Sequence, residues 1–388
     1  MRTRFWRIVT VVTGWHIAAS VCYYAVYAGT PLFREAFDLS GLEIGFVITA
    51  LSLGYAVSLL PFGVATDRYG ERYTLAGGLA GLALGVFAVA IAPTYPLLLV
   101  AAFLLGSMYG SATPGTNKAV FDQIEPERQH RALGIKQVGP TVGSALGAVV
   151  VTGLAGVFFW QFGFYVAAAV GLATSVVFYL VYRGSDRAEA SVPDFRALLS
   201  NRTYLVLLLV GACLGSAFYT ATGYTVLFVE DSVGATVGVA GLVLATLQVA
   251  SSVGRIAAGT LADALPGLPR RRTGAIFAVQ AAGGGVLFLM LPVSDSLLVV
   301  GGAFVGLGLS ILGSVGLYYS VISTIVAEEE LGAASAAGQL AVTASGLFAP
   351  PAFGYLVDTS GYVAAWSFLA GLSFVATVLV SLVALDVV

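Results

Sequence analysis

Apolar runs of about twenty residues, repeated along the whole chain with short polar breaks between them, leave this sequence few ways to fold. A run of that length, wound as an α-helix, matches a hydrocarbon layer roughly 30 Å thick. Inside lipid every backbone amide must be satisfied within its own segment or in a closed barrel, and these runs are too long for barrel strands of about ten alternating residues. The chain has 388 residues, 58% hydrophobic and 10% charged. A soluble domain carries roughly 25% charged residues, and no soluble core could hide this much apolar surface. The sequence therefore predicts an all-α membrane protein.

The apolar windows fall at about 8–30, 43–62, 74–92, 96–120, 132–155 and 158–182, then at about 203–229, 237–258, 273–291, 295–320, 332–355 and 361–385. Twelve transmembrane helices are expected. The longest polar stretch, residues 183–202, holds Asp186, Arg187, Glu189, Asp194 and Arg196. It predicts a six-helix bundle over 1–182, a cytoplasmic linker over 183–202 and a second six-helix bundle over 203–388. Arg2, Arg4 and Arg7 before an apolar stretch resemble a secretory leader, but the stretch runs on to about Thr30, past a leader's core of about 7 to 15 residues. It reads as the first membrane helix.

Lys and Arg concentrate on the cytoplasmic side of membrane proteins. With the N-terminus inside, 17 of the 18 basic residues lie on or near the inner face and only Arg34 lies outside. A missed span would scramble that distribution. The expected location is the plasma membrane, with both termini cytoplasmic.

The halves look like copies. Gly45, Gly63 and Asp67 recur 196 residues later as Gly241, Gly259 and Asp263, and Ser20 and Tyr23 recur as Ser216 and Tyr219. At an offset of 202, Gly106, Glu127, Gln137 and Thr141 fall on Gly308, Glu329, Gln339 and Thr343. Parallel six-helix repeats related by an axis along the membrane normal place a substrate site between the halves near the midplane.

After the second helix comes Gly63-Val64-Ala65-Thr66-Asp67-Arg68-Tyr69-Gly70-Glu71-Arg72. This loop resembles the signature of the major facilitator superfamily: a Gly, an Asp-Arg pair, a further Gly and a basic residue. The resemblance implies two pseudo-symmetric six-helix bundles that transport a small solute by alternating access. In physical terms the loop is a latch. Gly63 lets helices approach, Asp67 faces the positive end of a helix dipole, and Arg68 or Arg72 meets Asp122. In the second copy Gly259 and Asp263 persist but Ala264 replaces the Arg, so its latch is degraded. Arg255, two turns before Asp263, is expected to partner Glu328 or Glu329 or to serve the substrate pathway.

Helix five carries Gly139, Gly143 and Gly147 at four-residue spacing, a smooth face for close packing, with Lys136 on the same stripe. The stretch before it, with Asn117, Lys118, Asp122, Glu127, Arg128 and Ala132, resembles the corresponding region of small-anion permeases of the cyanate and oxalate/formate groups. Gly139-Pro140 resembles part of the antiporter motif of drug exporters, but the larger Gly pattern is incomplete. Near Gly106, Ala102 and Phe103 stand where those exporters often carry an Arg.

Thr13, His16, Ser20, Tyr23 and Tyr27 form a polar stripe on helix one, which lipid would reject. Its counterpart on helix seven includes Ser216, Tyr219 and Thr220, and Gln248, Tyr319 and Gln339 add hydrogen-bonding groups. Each tyrosine alone also fits an interface anchor or ordinary packing. The predicted pathway is His16, Ser20, Tyr23, Tyr27, Lys118, Lys136, Gln137, Tyr219, Gln248, Arg255, Tyr319 and Gln339. The predicted latch is Gly63, Asp67, Arg68, Gly70, Arg72, Asp122, Gly259 and Asp263.

No carboxylate falls near the midplane, whereas Lys118, Lys136, Arg255 and His16 are intramembrane and basic. A cation-lined cavity favours an anion, although Lys136 could instead snorkel to the cytoplasm and His16 could be packed. The leading expectation is a permease for a small organic anion, with proton-coupled efflux of apolar or cationic compounds as the alternative. Coupling to a proton, a counter-anion or neither is left open. The other expected partner is the lipid bilayer, with no nucleic acid, no cofactor and a monomeric state. Two His and two Cys, Cys22 and Cys213, form no metal or disulfide pattern, and the acids at 328–330 read as a solvated loop, so no enzyme constellation is expected. A sensor would need an appended domain, whereas the sequence ends just past its last helix.

Overall fold

The apolar runs become helices in the computed structural model, which describes residues 2–184, 200–327 and 330–387. The N-terminal helices are α1 (Arg2–Ala28), α2 (Thr30–Phe37), α3 (Gly41–Tyr69), α4 (Glu71–Ile91), α5 (Tyr95–Tyr109), α6 (Ala112–Gln123), α7 (Pro126–Lys136), α8 (Val138–Ala155) and α9 (Phe162–Val181). After the linker come α10 (Arg202–Val233), α11 (Val237–Ala264), α12 (Pro269–Met290), α13 (Leu297–Leu309), α14 (Val315–Ile322), α15 (Leu331–Ser345) and α16 (Ala349–Ala384). Among the described residues 11 helical stretches are long and apolar enough to cross a membrane. The last, Leu331–Ala384, has 54 residues, about 80 Å of helix and too long for one crossing. Gly361, at φ +78°, divides it in two, which gives the expected twelve.

The sequence predicts continuous helices where the structure breaks four of them. The fourth span turns at Gly110 and Ser111, where Ser111 Oγ donates to the Met108 carbonyl at 2.8 Å. The fifth breaks at Gln137, between α7 and α8, one residue after Lys136. The tenth passes through a 3-10 turn, Ile311–Gly313, and the eleventh is interrupted between Ser345 and Ala349. Three of the breaks are followed within four residues by a proline, Pro114, Pro140 and Pro350, which lacks an amide donor and crowds the carbonyl one turn back. At the break near Ser310, serine and glycine supply the alternative hydrogen bonds and backbone freedom.

Two compact units result. The first comprises the described residues within Met1–Asp38, Val47–Ser191 and Thr236–Ala245; the second comprises those within Leu39–Phe46, Val192–Ala235 and Thr246–Val388. Each unit thus includes the opening turns of a helix whose remainder belongs to the other, an exchange absent from the predicted boundaries. In the first unit Trp15 is fully buried and donates Nε1–H to the Leu75 carbonyl at 2.9 Å, joining α1 to α4. In the second, Trp366 is fully buried among Phe228, Phe288, Phe304 and Phe353, with ring centroids 4.8 to 5.9 Å away. Both cysteines are buried and free.

Candidate functional site

In the first unit, the glycine stripe of α8 sets the geometry. A Cβ added at Gly139 would stand 2.8 Å from His16 Cβ, one at Gly143 would collide with the Ile17 carbonyl and Ser20, and one at Gly147 would stand 3.0 Å from the Val21 carbonyl. Only hydrogen at those positions lets α8 lie against α1 along its polar stripe. Lys136, at the end of α7, is brought into the same seam.

Lys136 is 3% exposed. Its ammonium donates to Thr116 Oγ1 at 2.8 Å and to Asn117 Oδ1, both on α6. Among the described residues no carboxylate lies in ion-pair range of it. The snorkelling alternative is therefore not adopted: the charge is held inward by two neutral acceptors. His16 is also buried, and its Nδ1 has no hydrogen-bond partner among the described residues.

Beside this basic pair stands a group of tyrosines. Tyr23 and Tyr109 stack with centroids 4.1 Å apart, Tyr55 lies 5.6 Å from Tyr109, and Tyr27 lies 5.9 Å from Tyr23. Ser20 Oγ and Tyr109 OH are hydrogen-bonded at 3.0 Å. All are buried. The structure thus brings together the predicted His16, Ser20, Tyr23, Tyr27 and Lys136. To these it adds Tyr55, Tyr109, Thr116 and Asn117, which the sequence reading did not assign. The signal available for Tyr109 was its place immediately before Gly110, whose carbonyl Pro114 crowds from four residues on.

Other predicted residues lie apart. Lys118 pairs with Asp122 at 2.8 Å as an i,i+4 ion pair on α6, and Gln137 is exposed at the α7–α8 break. Arg72, one of the two arginines expected to meet Asp122, instead donates to the Tyr179 carbonyl at 2.7 and 3.2 Å and lies over the Tyr179 ring. The last turn of α9 has carbonyls without helical partners, and a guanidinium at that end satisfies one. Arg68 lies 5.4 Å from the Tyr69 ring centroid. Gly70 has φ +87°, a conformation that favours glycine. A Cβ at Gly63 or Gly259 would meet nothing within 4 Å, so neither glycine is needed for close packing here. Asp67 is half-buried and Asp263 exposed.

The signature loop also contains an unassigned group. Glu71 is fully buried and accepts from Tyr182 OH at 2.9 Å and from Gln123 Nε2 at 3.4 Å, tying α4 to α6 and to the end of α9.

In the second unit Tyr319 OH donates to Gln339 Oε1 at 2.5 Å, and Gln339 Nε2 donates to Thr343 Oγ1 at 3.1 Å. Tyr219 and Gln248 are buried, and Gln248 Nε2 has no hydrogen-bond partner among the described residues. Arg255 is half-buried, its stem accommodated by the missing side chain of Gly316. Glu328 and Glu329, its predicted partners, lie outside the described residues.

The second unit also holds the start of α3. Asp358 accepts from the amides of Gly41 at 2.8 Å and Leu42 at 2.9 Å, and Tyr224 OH donates to the Gly41 carbonyl at 2.6 Å. A carboxylate on the first amides of a helix is stabilised by hydrogen bonds and by the helix dipole. Asp358→Ala is expected to accelerate hydrogen exchange at the Gly41 and Leu42 amides, measured by mass spectrometry, while leaving the Trp15 region unchanged.

Known proteins place this geometry in context. The family model described as Major Facilitator Superfamily matches residues 15–318 and 228–387. The hexuronate transporter of Bacillus subtilis (strain 168) is 23% identical over 374 residues, covering 89% of this chain and 86% of that protein. The 3-(3-hydroxy-phenyl)propionate transporter of Escherichia coli (strain K12) is 28% identical over 242 residues, 60% of this chain and 58% of that protein. Among solved structures, a bacterial homolog of the human lysosomal transporter Spinster superposes with a TM-score of 0.77 at 17% identity, covering 97% of this chain and 94% of that chain. The nucleoside transporter NupG gives 0.79 at 13% identity, covering 98% of this chain and 99% of that chain. The chain belongs to the Major Facilitator Superfamily, as a multi-pass membrane transporter of small solutes and not an enzyme.

Proposed function

We propose that the protein is a permease for small organic monocarboxylates that carry a ring, working by alternating access between its two halves. One observation carries the reading: Lys136 is buried, hydrogen-bonded to Thr116 and Asn117, and has no carboxylate partner among the described residues. A buried cation is costly without a counter-charge, and an arriving carboxylate supplies one. His16 Nδ1 offers a further polar contact, and the tyrosines offer flat faces and hydroxyls to the rest of the solute. Two relatives support the same class, since a hexuronate and a hydroxyphenylpropionate each combine a single carboxylate with a ring or ring-forming skeleton.

In this reading the protein is a monomer in the plasma membrane with both termini cytoplasmic, consistent with the distribution of its basic residues. Asp67, with Arg68 nearby, latches the inner side in one access state, and Asp358 holds the start of α3 in the other. A buried ammonium would repel a lipophilic cation, so drug export is not supported.

Purified protein in proteoliposomes tests the reading. Labelled glucuronate or 3-phenylpropionate should accumulate above protein-free vesicles, while glucose and tetraphenylphosphonium should not. Transport of the cation or the neutral sugar with neither acid carried would overturn it.

A further inference from the structure

The first unit has a second basic site, at the end where α1 begins and α6 and α9 finish. A cavity of about 470 Å³ there is lined by Arg4, Arg7, Asp122, Gln123, Tyr182 and Arg183. Its lining holds three guanidiniums and one carboxylate, Asp122, which pairs with Lys118 at 2.8 Å. A second carboxylate, Glu71, stands behind the wall and accepts from Tyr182 and Gln123, so the cavity keeps an excess of positive charge. Arg7 Nη2 donates to the Val181 carbonyl at 3.0 Å, which fixes the side chain and leaves its other N–H groups available. Arg4 and Arg183 have no ion-pair partner among the described residues. Gln123 is held by Tyr182 OH at 2.7 Å and by the Arg183 carbonyl at 2.9 Å, which stiffens the wall.

The depth of the pocket is marked by Trp6, which lies on α1 between Arg4 and Arg7 and is 43% exposed. An exposed tryptophan beside arginines is characteristic of the membrane–water interface. Arg131 lies 5.6 Å from its ring centroid, so the indole is held at this end of the unit. A cationic cavity at headgroup depth, walled by three membrane segments, suits a phosphate whose oxygens can be held by paired guanidinium N–H groups. The pocket lies apart from Lys136: none of its lining residues contributes to the lysine–tyrosine cluster.

We propose that this cavity binds the phosphate headgroup of an anionic phospholipid. The lipid would bridge α1, α6 and α9 by neutralising Arg4, Arg7 and Arg183 together. Its phosphate is also available from free phosphate in solution, so the test separates the two sources. Thermal melting of the purified full-length protein is followed in detergent with dioctanoyl phosphatidylglycerol, dioctanoyl phosphatidylcholine or inorganic phosphate at matched concentrations. Phosphatidylglycerol should raise the midpoint well above the other two, because a ligand bound by the folded state stabilises it. Arg4→Gln with Arg183→Gln should weaken the apparent affinity roughly thirtyfold, each charge contributing about fivefold. Arg4→Lys with Arg183→Lys should fall between that variant and the wild type, since lysine keeps the charge and loses the paired N–H geometry, and Arg128→Gln, on α7 outside the cavity, should keep the full affinity. Arg183→Gln alone provides the same reading, at about fivefold, if the double variant does not fold. Equal stabilisation by inorganic phosphate would overturn the lipid assignment. A phosphatidylglycerol shift that is absent, or unchanged in the Gln variants, would overturn the site.

Discussion

Lys136→Gln should lower carboxylate uptake into proteoliposomes by about a hundredfold or more. Removing one member of a buried charge pair costs about 3–5 kcal/mol, and each 1.4 kcal/mol is tenfold in an equilibrium. The variant protein itself should fold, because Thr116 and Asn117 can still hydrogen-bond a glutamine amide and no carboxylate is left unpaired among the described residues. The apo variant should melt at or above the wild-type midpoint while losing the stabilisation that carboxylate gives. Full uptake rates in the variant would remove the electrostatic basis of the proposal. An equal loss of fold and of transport would reassign Lys136 to structure.

Gly143→Leu should destabilise the protein more than a leucine placed on the lipid-facing side of the same helix. A Cβ at Gly143 collides with the Ile17 carbonyl and stands 2.6 Å from Ser20 Cβ, so α8 and α1 must separate. Overpacking of this kind costs about 1–3 kcal/mol. The lever is backbone and not a flexible side chain, so the upper part of that range is expected. Separation also carries Lys136 away from His16, so carboxylate affinity should fall along with the melting midpoint. Gly153→Leu, nearly three turns farther on with nothing within 4 Å of an added Cβ, is the control and should leave both properties near wild type. Comparable melting of the two variants would contradict the packing described for α1 and α8.

What could be read from the sequence follows from how local each signal is. The twelve spans are written in runs of apolar residues, and the packing stripe of Gly139, Gly143 and Gly147 is written in a four-residue period, so both were visible. The inward placement of His16, Ser20, Tyr23 and Tyr27 followed from their period on one helix. The breaks at Gly110 and Gln137 carry a signal, Pro114 and Pro140 four and three residues on, but membrane helices tolerate proline without breaking, and no proline marks the break at Ser310. Tyr55 and Tyr109 looked like any other membrane tyrosines, since their meeting depends on how α3 and α5 pack against α1. Lys136 was ambiguous for a related reason: snorkelling and burial differ only in where Thr116 and Asn117 stand. Arg68 or Arg72 was assigned to Asp122 by charge alone, whereas the carbonyl end of α9 offered Arg72 a nearer acceptor. Asp358 and Gly41, 317 residues apart, share no sequence signal.

The central claim is that the negative charge of the solute completes the site at Lys136. Counterflow in proteoliposomes loaded with a transported monocarboxylate tests it most directly, using the same ring skeleton as its carboxylate and as its uncharged amide. The account predicts that the external acid exchanges and competes while the amide, of almost the same size and shape, does neither. Equal competition by the amide would show that recognition does not depend on charge, and would contradict the account.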